Sequence, residues 1–74
     1  MSSLQLRSDL MTRIERYVES GGLKQKDAAV NLGVTRSRLN DLLQGKIEKF
    51  SLDALVNMLG HAGMRVELRV KKAA

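Results

Sequence analysis

Residues 35 to 44 form a run of side chains that donate and accept hydrogen bonds, interrupted only by leucines. A helix turns by about 100° per residue, so four of the polar residues would share one face opposite Leu39 and Leu42. These four are Ser37, Asn40, Asp41 and Gln44. Arg36 and Arg38 would lie at the margins of this face near its N-terminal end. Guanidinium, hydroxyl, amide and carboxylate groups are the ones that recognise base edges in the major groove of a duplex.

The individual side chains predict particular contacts with double-stranded DNA. Arg36 is expected to make a bidentate contact to guanine, worth about 1–3 kcal/mol of discrimination. Asn40 would pair with adenine, and Ser37 with a base or a phosphate. Asp41 has two interpretations, because an acid close to phosphates is repelled. It either accepts a hydrogen bond from cytosine or orients Arg38, and we favour the orienting role.

Further polar and basic residues flank this face and predict contacts with backbone phosphates. Such contacts position a protein on DNA and make its affinity fall steeply with salt. Each lysine alone is as often an ordinary solvated charge, whereas a cluster beside one face favours a common role. The predicted phosphate contacts from this set are Lys24, Lys26, Thr35, Arg38, Gln44, Lys46 and Lys49.

The composition fits a small basic domain. The chain has 74 residues, with 13 Lys and Arg against 8 Asp and Glu, and a net charge of +5. This charge favours a polyanionic partner, although a soluble protein of another kind can also be basic. No apolar run approaches the roughly 18 residues of a membrane span, and the N-terminus lacks the apolar core of a signal peptide. We therefore expect a cytoplasmic protein with no membrane partner.

The remaining residues do not favour an enzyme. Cysteine is absent, and His61 is the single histidine, at a predicted helix end. The carboxylates are spread among arginines and lysines, as on solvated helix faces. We expect no catalytic residue, no metal and no cofactor. Tyr17 and Phe50 are the only aromatic residues and fit a core, which disfavours a binder of single-stranded RNA.

Apolar periodicity and helix-ending residues predict three helices up to residue 45. Apolar residues recur at helical spacing from Leu10 to Val18, and the glycine pair at 21 and 22 would end this first helix. The second helix is predicted over 25–32 and the third over 36–44. Thr35 would cap the third helix, and Gly45 would stop it.

A fourth helix is predicted to begin at the N-cap Ser51 and to end at Gly60 or Gly63. Phe50, just before the cap, would pack against Leu55 as a hydrophobic staple.

The segment 25–44 has the spacing of a helix-turn-helix motif. Ala29 is small enough for two helices to cross closely, and Gly33 supplies the positive φ that a three-residue turn needs. A small core beneath the angle would comprise Leu32, Val34, Leu39, Leu42 and Leu43. The alternative is an unrelated pair of helices joined by a glycine turn.

The last part of the chain changes period. Residues 64–71 alternate apolar with charged side chains, which predicts a strand buried on one face. Because one strand cannot satisfy its own backbone, we expect the same strand of a second copy to pair with it across a two-fold axis. The predicted dimer interface is Met64, Val66, Leu68 and Val70. The alternative is a frayed, charged tail.

The stretch LKQKDAAVNLGVTRSRLNDLLQGKIEKFSLDALVNML resembles the Xre-type helix-turn-helix family, which includes the phage repressors and Cro proteins. The resemblance is greatest to the HigA-type antitoxins, from the LLQGKI and FSLDALVNML segments. It implies that Gln25, at the start of the first motif helix, holds a backbone phosphate. Lys24 departs from the family pattern, which has Thr or Ser as the helix cap, so that a cation replaces the cap.

The residues and the resemblance together predict one domain, 1–74. Its fold would be all-α, a lambda-repressor-like helix-turn-helix domain of four to five helices with a short C-terminal β-strand used for dimerisation. Its function would be sequence-specific binding to a palindromic operator as a homodimeric repressor. The resemblance also implies autoregulation of a toxin-antitoxin operon and a RelE-type toxin as partner. The alternative is a protein-interaction module that binds such a toxin mainly through the C-terminal strand.

Overall fold

A computed structural model describes residues 3–67 of the chain. Four α-helices and one short 3₁₀ turn follow one another in this range. They are α1 (Ser3–Ser20), α2 (Gln25–Leu32), α3 (Arg36–Leu43), the 3₁₀ turn (Ile47–Lys49) and α4 (Leu52–His61). The four predicted helices are confirmed, and α3 ends one residue earlier than predicted. The 3₁₀ turn was not predicted.

The helices enclose one apolar core. α1 packs against α4, and α2 packs against both α3 and α4. The buried side chains are Leu10, Met11, Ile14, Ala28, Ala29, Leu32, Leu39, Leu42, Phe50, Leu55, Met58 and Leu59. Val34 and Leu43, also predicted to be core residues, are half-buried at its edge. Burial of apolar surface from all four helices is what holds α3 in place.

Two of the helix caps behave as the sequence predicts. The Thr35 hydroxyl accepts a hydrogen bond from the Arg38 amide at 3.1 Å, and the Ser51 hydroxyl accepts one from the Ala54 amide at 3.1 Å. Lys24 precedes α2 with extended backbone and no side-chain cap, as its departure from the family pattern implies. The orphan amides at the start of α2 therefore lack the side-chain acceptor that α3 and α4 have.

The predicted strand at 64–71 is not confirmed. Residues 64–67 follow α4 without strand pairing to any other part of the described chain, and Leu68 and Val70 lie outside the described residues. The predicted alternation is present, since Met64 and Val66 are half-buried against the core while Arg65 and Glu67 are exposed. A strand requires a partner strand, and residues 3–67 of a single chain do not supply one.

Candidate nucleic-acid interface

The turn between α2 and α3 has the geometry that the motif requires. Gly33 adopts a φ of +71°, in the left-handed region that favours glycine. The Val34 amide donates to the Ala29 carbonyl at 3.0 Å, which closes the end of α2. Ala29 itself is buried in α2. The positive φ predicted for Gly33 is thus confirmed.

A second constraint on Gly33 comes from the end of α4. A Cβ atom built on Gly33 would lie 2.8 Å from Cδ2 of His61, closer than real Cβ atoms approach a neighbour. His61 is the single histidine of the chain, and the sequence predicts it at a helix end. It is exposed, in the last turn of α4, and its ring also covers the motif's turn. Gly33 therefore has both a conformational and a steric reason to be glycine.

α3 presents most of the predicted base-contacting residues on one accessible face. Leu39 and Leu42 anchor its inner side and are completely buried. The exposed residues are Arg36, Ser37, Asn40 and Gln44. The Arg36 side chain makes no hydrogen bond or ion pair with any other residue in the described range. Its guanidinium is therefore available to a ligand.

Asp41 lies at the edge of this face and pairs with two lysines. Its Oδ1 is 3.3 Å from Nζ of Lys46, and its Oδ2 is 3.4 Å from Nζ of Lys49. Partial burial acts to raise the pKa of Asp41, but hydrogen bonds from Lys46 and Lys49 and their charges leave that pKa below its ordinary value. The prediction that Asp41 orients Arg38 is therefore wrong, because Asp41 pairs with the two lysines and the Arg38 guanidinium binds the Lys49 carbonyl instead.

Arg38 turns away from Asp41 towards the segment after the 3₁₀ turn. Its Nη2 donates to the Lys49 carbonyl at 3.3 Å, and its guanidinium carbon lies 4.5 Å from the centre of the Phe50 ring. Arginine commonly stacks on aromatic faces in this way. The half-buried Arg38 therefore joins α3 to the chain that leads into α4.

Arg7 of α1 is a residue that the sequence interpretation missed. Its Nη1 donates to the Phe50 carbonyl at 3.3 Å, so the segment at Lys49 and Phe50 is held by one arginine from α1 and another from α3. Position 7 lies on the same helical stripe as the buried residues Leu10 and Ile14. That spacing was a signal that Arg7 faces the core side of the molecule.

The other predicted phosphate contacts lie at the helix ends. Lys24, Gln25 and Lys26 are at the N-terminal end of α2, with both lysines exposed and Gln25 half-buried. Amide groups at a helix N-terminus favour an anion at this position. Thr35 uses its hydroxyl oxygen to cap α3.

Other kinds of site find no support in the described range. Within residues 3–67, no three His, Cys, Asp or Glu side chains lie close enough together to hold a metal ion. No helix in the same range has the length and apolar character needed to cross a membrane.

One comparison with known proteins agrees with this geometry. A family model described as a helix-turn-helix domain matches residues 1–71. Curated proteins gave no match to the chain. The family match spans the motif, its turn and all four helices. The chain therefore belongs to the helix-turn-helix domain family.

Proposed function

We propose that this protein is a sequence-specific regulator, a repressor, that inserts α3 into the major groove of double-stranded DNA. The observation that carries the proposal is the exposed polar face of α3, anchored from behind by Leu39 and Leu42. Family membership and the net charge of +5 support it. Helix-turn-helix domains bind DNA through the second helix of the motif, with its N-terminal residues at the base edges.

The proposed contacts divide into two kinds. Arg36 binds guanine, Asn40 binds adenine, and Ser37 contacts a base or a phosphate. Backbone phosphates bind at the N-terminal end of α2 and at the C-terminal end of α3. The first group is Lys24, Gln25 and Lys26, and the second is Gln44, Lys46 and Lys49. Arg38 supports the interface from behind, since Lys49 and Phe50 already engage its guanidinium.

We also propose that the protein binds DNA as a homodimer joined through residues 64–71. The Met64 amide donates to the Leu59 carbonyl. After it, the backbone of residues 65–67 makes no hydrogen bond to the rest of the described chain. Backbone groups of this kind are satisfied by pairing with another strand or with water. Two-fold symmetry then predicts a palindromic operator, with half-sites about one helical turn apart.

An antitoxin role is the second candidate, and the resemblance to HigA-type antitoxins motivates it. The unpaired backbone at 65–67 would then add a strand to a RelE-type toxin. A groove beside this segment, lined by Leu6, Leu10 and Leu59, would accept apolar side chains of the partner. This candidate leaves α3 accessible to DNA, but it uses residues 64–71, the segment of the proposed dimer, so toxin binding would compete with dimerisation.

The test is a titration of the purified protein against labelled duplex DNA from upstream of its own gene. A scrambled duplex of equal length is the control, and both are measured at low and at near-physiological salt. We expect the native duplex to bind at least about a hundredfold more tightly as salt rises, since non-specific binding is mostly electrostatic. Equal affinities that fall together with salt would contradict sequence-specific regulation by this operator.

A further inference from the structure

We propose that Asp41 is a positioning residue, which holds Lys46 and Lys49 side by side as a clamp for one phosphate of the DNA backbone. This inference rests on the proposed function and assigns Asp41 a role other than contacting a base. The clamp lies at the C-terminal end of α3, and its three residues come from α3, the loop after it and the 3₁₀ turn.

The geometry brings both ammonium groups to the same carboxylate. Each carboxylate oxygen of Asp41 accepts from a different lysine, at 3.3 Å for Lys46 and 3.4 Å for Lys49. An ammonium group has three donors, so each lysine keeps others for a second acceptor. The lysine side chains are 41% and 48% exposed, whereas that of Asp41 is 23% exposed. The cations therefore face solvent more than the acid that joins them.

The backbone that carries the clamp is also held in place. Arg38 binds the Lys49 carbonyl, while Asp41, one helical turn further along α3, binds the Lys49 ammonium group. Arg7 binds the next carbonyl, that of Phe50, whose ring is completely buried. Both the main-chain carbonyl and the side-chain ammonium group of Lys49 are therefore held in place. An exposed ion pair on a loose loop contributes little to stability or to binding. The two ion pairs of Asp41 lie on a fixed segment, so they hold the lysine side chains in position for a ligand.

The charge of the cluster suits a single phosphate. Two lysines and one aspartate carry a net charge of +1, and a phosphodiester carries −1. Without Asp41, two adjacent ammonium groups would repel each other and separate. With it, both can donate to the same phosphate. Phosphates carry no sequence information, so the clamp adds the same affinity for every duplex.

The test compares Asp41→Asn with wild type on the native upstream duplex and on the scrambled one. We expect the substitution to weaken both complexes by the same factor, about three- to tenfold, although it removes a negative charge. Lys46→Gln combined with Lys49→Gln should lower the slope of log affinity against log salt by about 0.9, because the clamp neutralises one phosphate. In the Lys46→Gln, Lys49→Gln double variant, Asp41→Asn should cause no further loss of affinity, because no lysine remains to be positioned.

Other results overturn the proposal. Unchanged or tighter binding of Asp41→Asn to the scrambled duplex would mean that Asp41 only repels phosphates. A loss confined to the native duplex, and persisting without the lysines, would mean that Asp41 contacts a base. If the proposed sequence-specific function is wrong, wild type will bind the two duplexes equally. That result is distinct from a failure of the clamp, which is read from the Asp41 variant. Wild type that binds neither duplex would end both proposals. Circular dichroism confirms that each variant is folded.

Discussion

Arg36 and Arg38 are two residues apart on α3, yet their surroundings assign them different roles. The Arg36 side chain is exposed and makes no ion pair or hydrogen bond in the described range, whereas Arg38 binds the Lys49 carbonyl and the Phe50 ring. The half-buried Arg38 thus has one donor and one ring face engaged within the protein, and it is less available to DNA than Arg36. We therefore propose that specificity at the N-terminal end of α3 depends on Arg36.

Replacing Arg36 by alanine should lower affinity for the native duplex by about ten- to a hundredfold, because alanine cannot make the bidentate hydrogen bonds to guanine. The scrambled duplex should lose much less, and the free energy of unfolding should stay within about 0.5 kcal/mol. Fluorescence anisotropy and denaturant titrations measure the two effects.

Arg16→Ala is the matched control, since it removes the same charge from an exposed position on α1. Equal losses for the Arg36 and Arg16 variants would mean that charge alone, rather than contact with a base, explains the affinity.

Gly33→Ala should lower the free energy of unfolding by more than Gly45→Ala does. Both glycines have positive φ, +71° and +78°, so each substitution costs about 1 kcal/mol from the backbone. Only Gly33 also has His61 against it, whereas a Cβ at Gly45 meets nothing within 4 Å. Urea unfolding gives the free energy of unfolding of each variant, and the difference between the two losses is the steric cost at Gly33. Equal losses would show that the His61 ring moves aside freely.

At the scale of elements, the sequence predicted the helices well because each has a local signal. Thr35 and Ser51 are caps, the glycines at 33 and 45 stop helices, and the apolar residues repeat at helical spacing. The 3₁₀ turn at Ile47–Lys49 was missed because three residues are too few for any periodicity.

The partner of Asp41 was missed for a different reason. The rule that residues three apart on a helix interact favoured Arg38. The actual partners are five and eight residues away, beyond the end of α3. Their position depends on how the chain turns after Gly45, and on Arg38 being drawn to Phe50, which is itself fixed by burial in the core. No pattern within α3 alone contains that information.

The uncapped start of α2 leads to a prediction in which stability and affinity change in opposite directions. Lys24→Ser should raise the free energy of unfolding by about 0.5–1 kcal/mol, because the backbone at residue 24 already has the extended conformation of a capping residue. The same change should weaken DNA binding and lower the salt slope by about 0.9, because the protein would neutralise one phosphate fewer. Thermal unfolding and anisotropy titrations give the two values.

Lys26→Ser serves as the control for this prediction, since it removes the same charge from an exposed position inside α2 that cannot act as a cap. It should weaken binding without raising stability. A Lys24 variant no more stable than the Lys26 variant would contradict the capping argument.

At the scale of the whole molecule, the small core and the unpaired segment after α4 both favour association. Val66→Lys should convert the proposed dimer to a single chain, because it places a charge on the apolar side of the segment. Light scattering measures the mass, and circular dichroism checks that the half-buried position tolerates the change.

Glu67→Lys, on the exposed side of the same segment, should leave the dimer intact. A folded Val66→Lys protein with the mass of two chains would exclude residues 64–71 as the dimer interface. Wild type with the mass of one chain would exclude the homodimer itself.

Because the His61 ring lies against Gly33, the residue types tolerated at these two positions, 28 residues apart, depend on each other. In a library randomised at both sites and selected for folding, alanine or asparagine at 33 would be recovered mainly together with a small residue at 61. With histidine at 61, glycine would dominate at 33. The tolerance of the motif's turn to substitution is therefore determined partly by α4, which lies outside the motif.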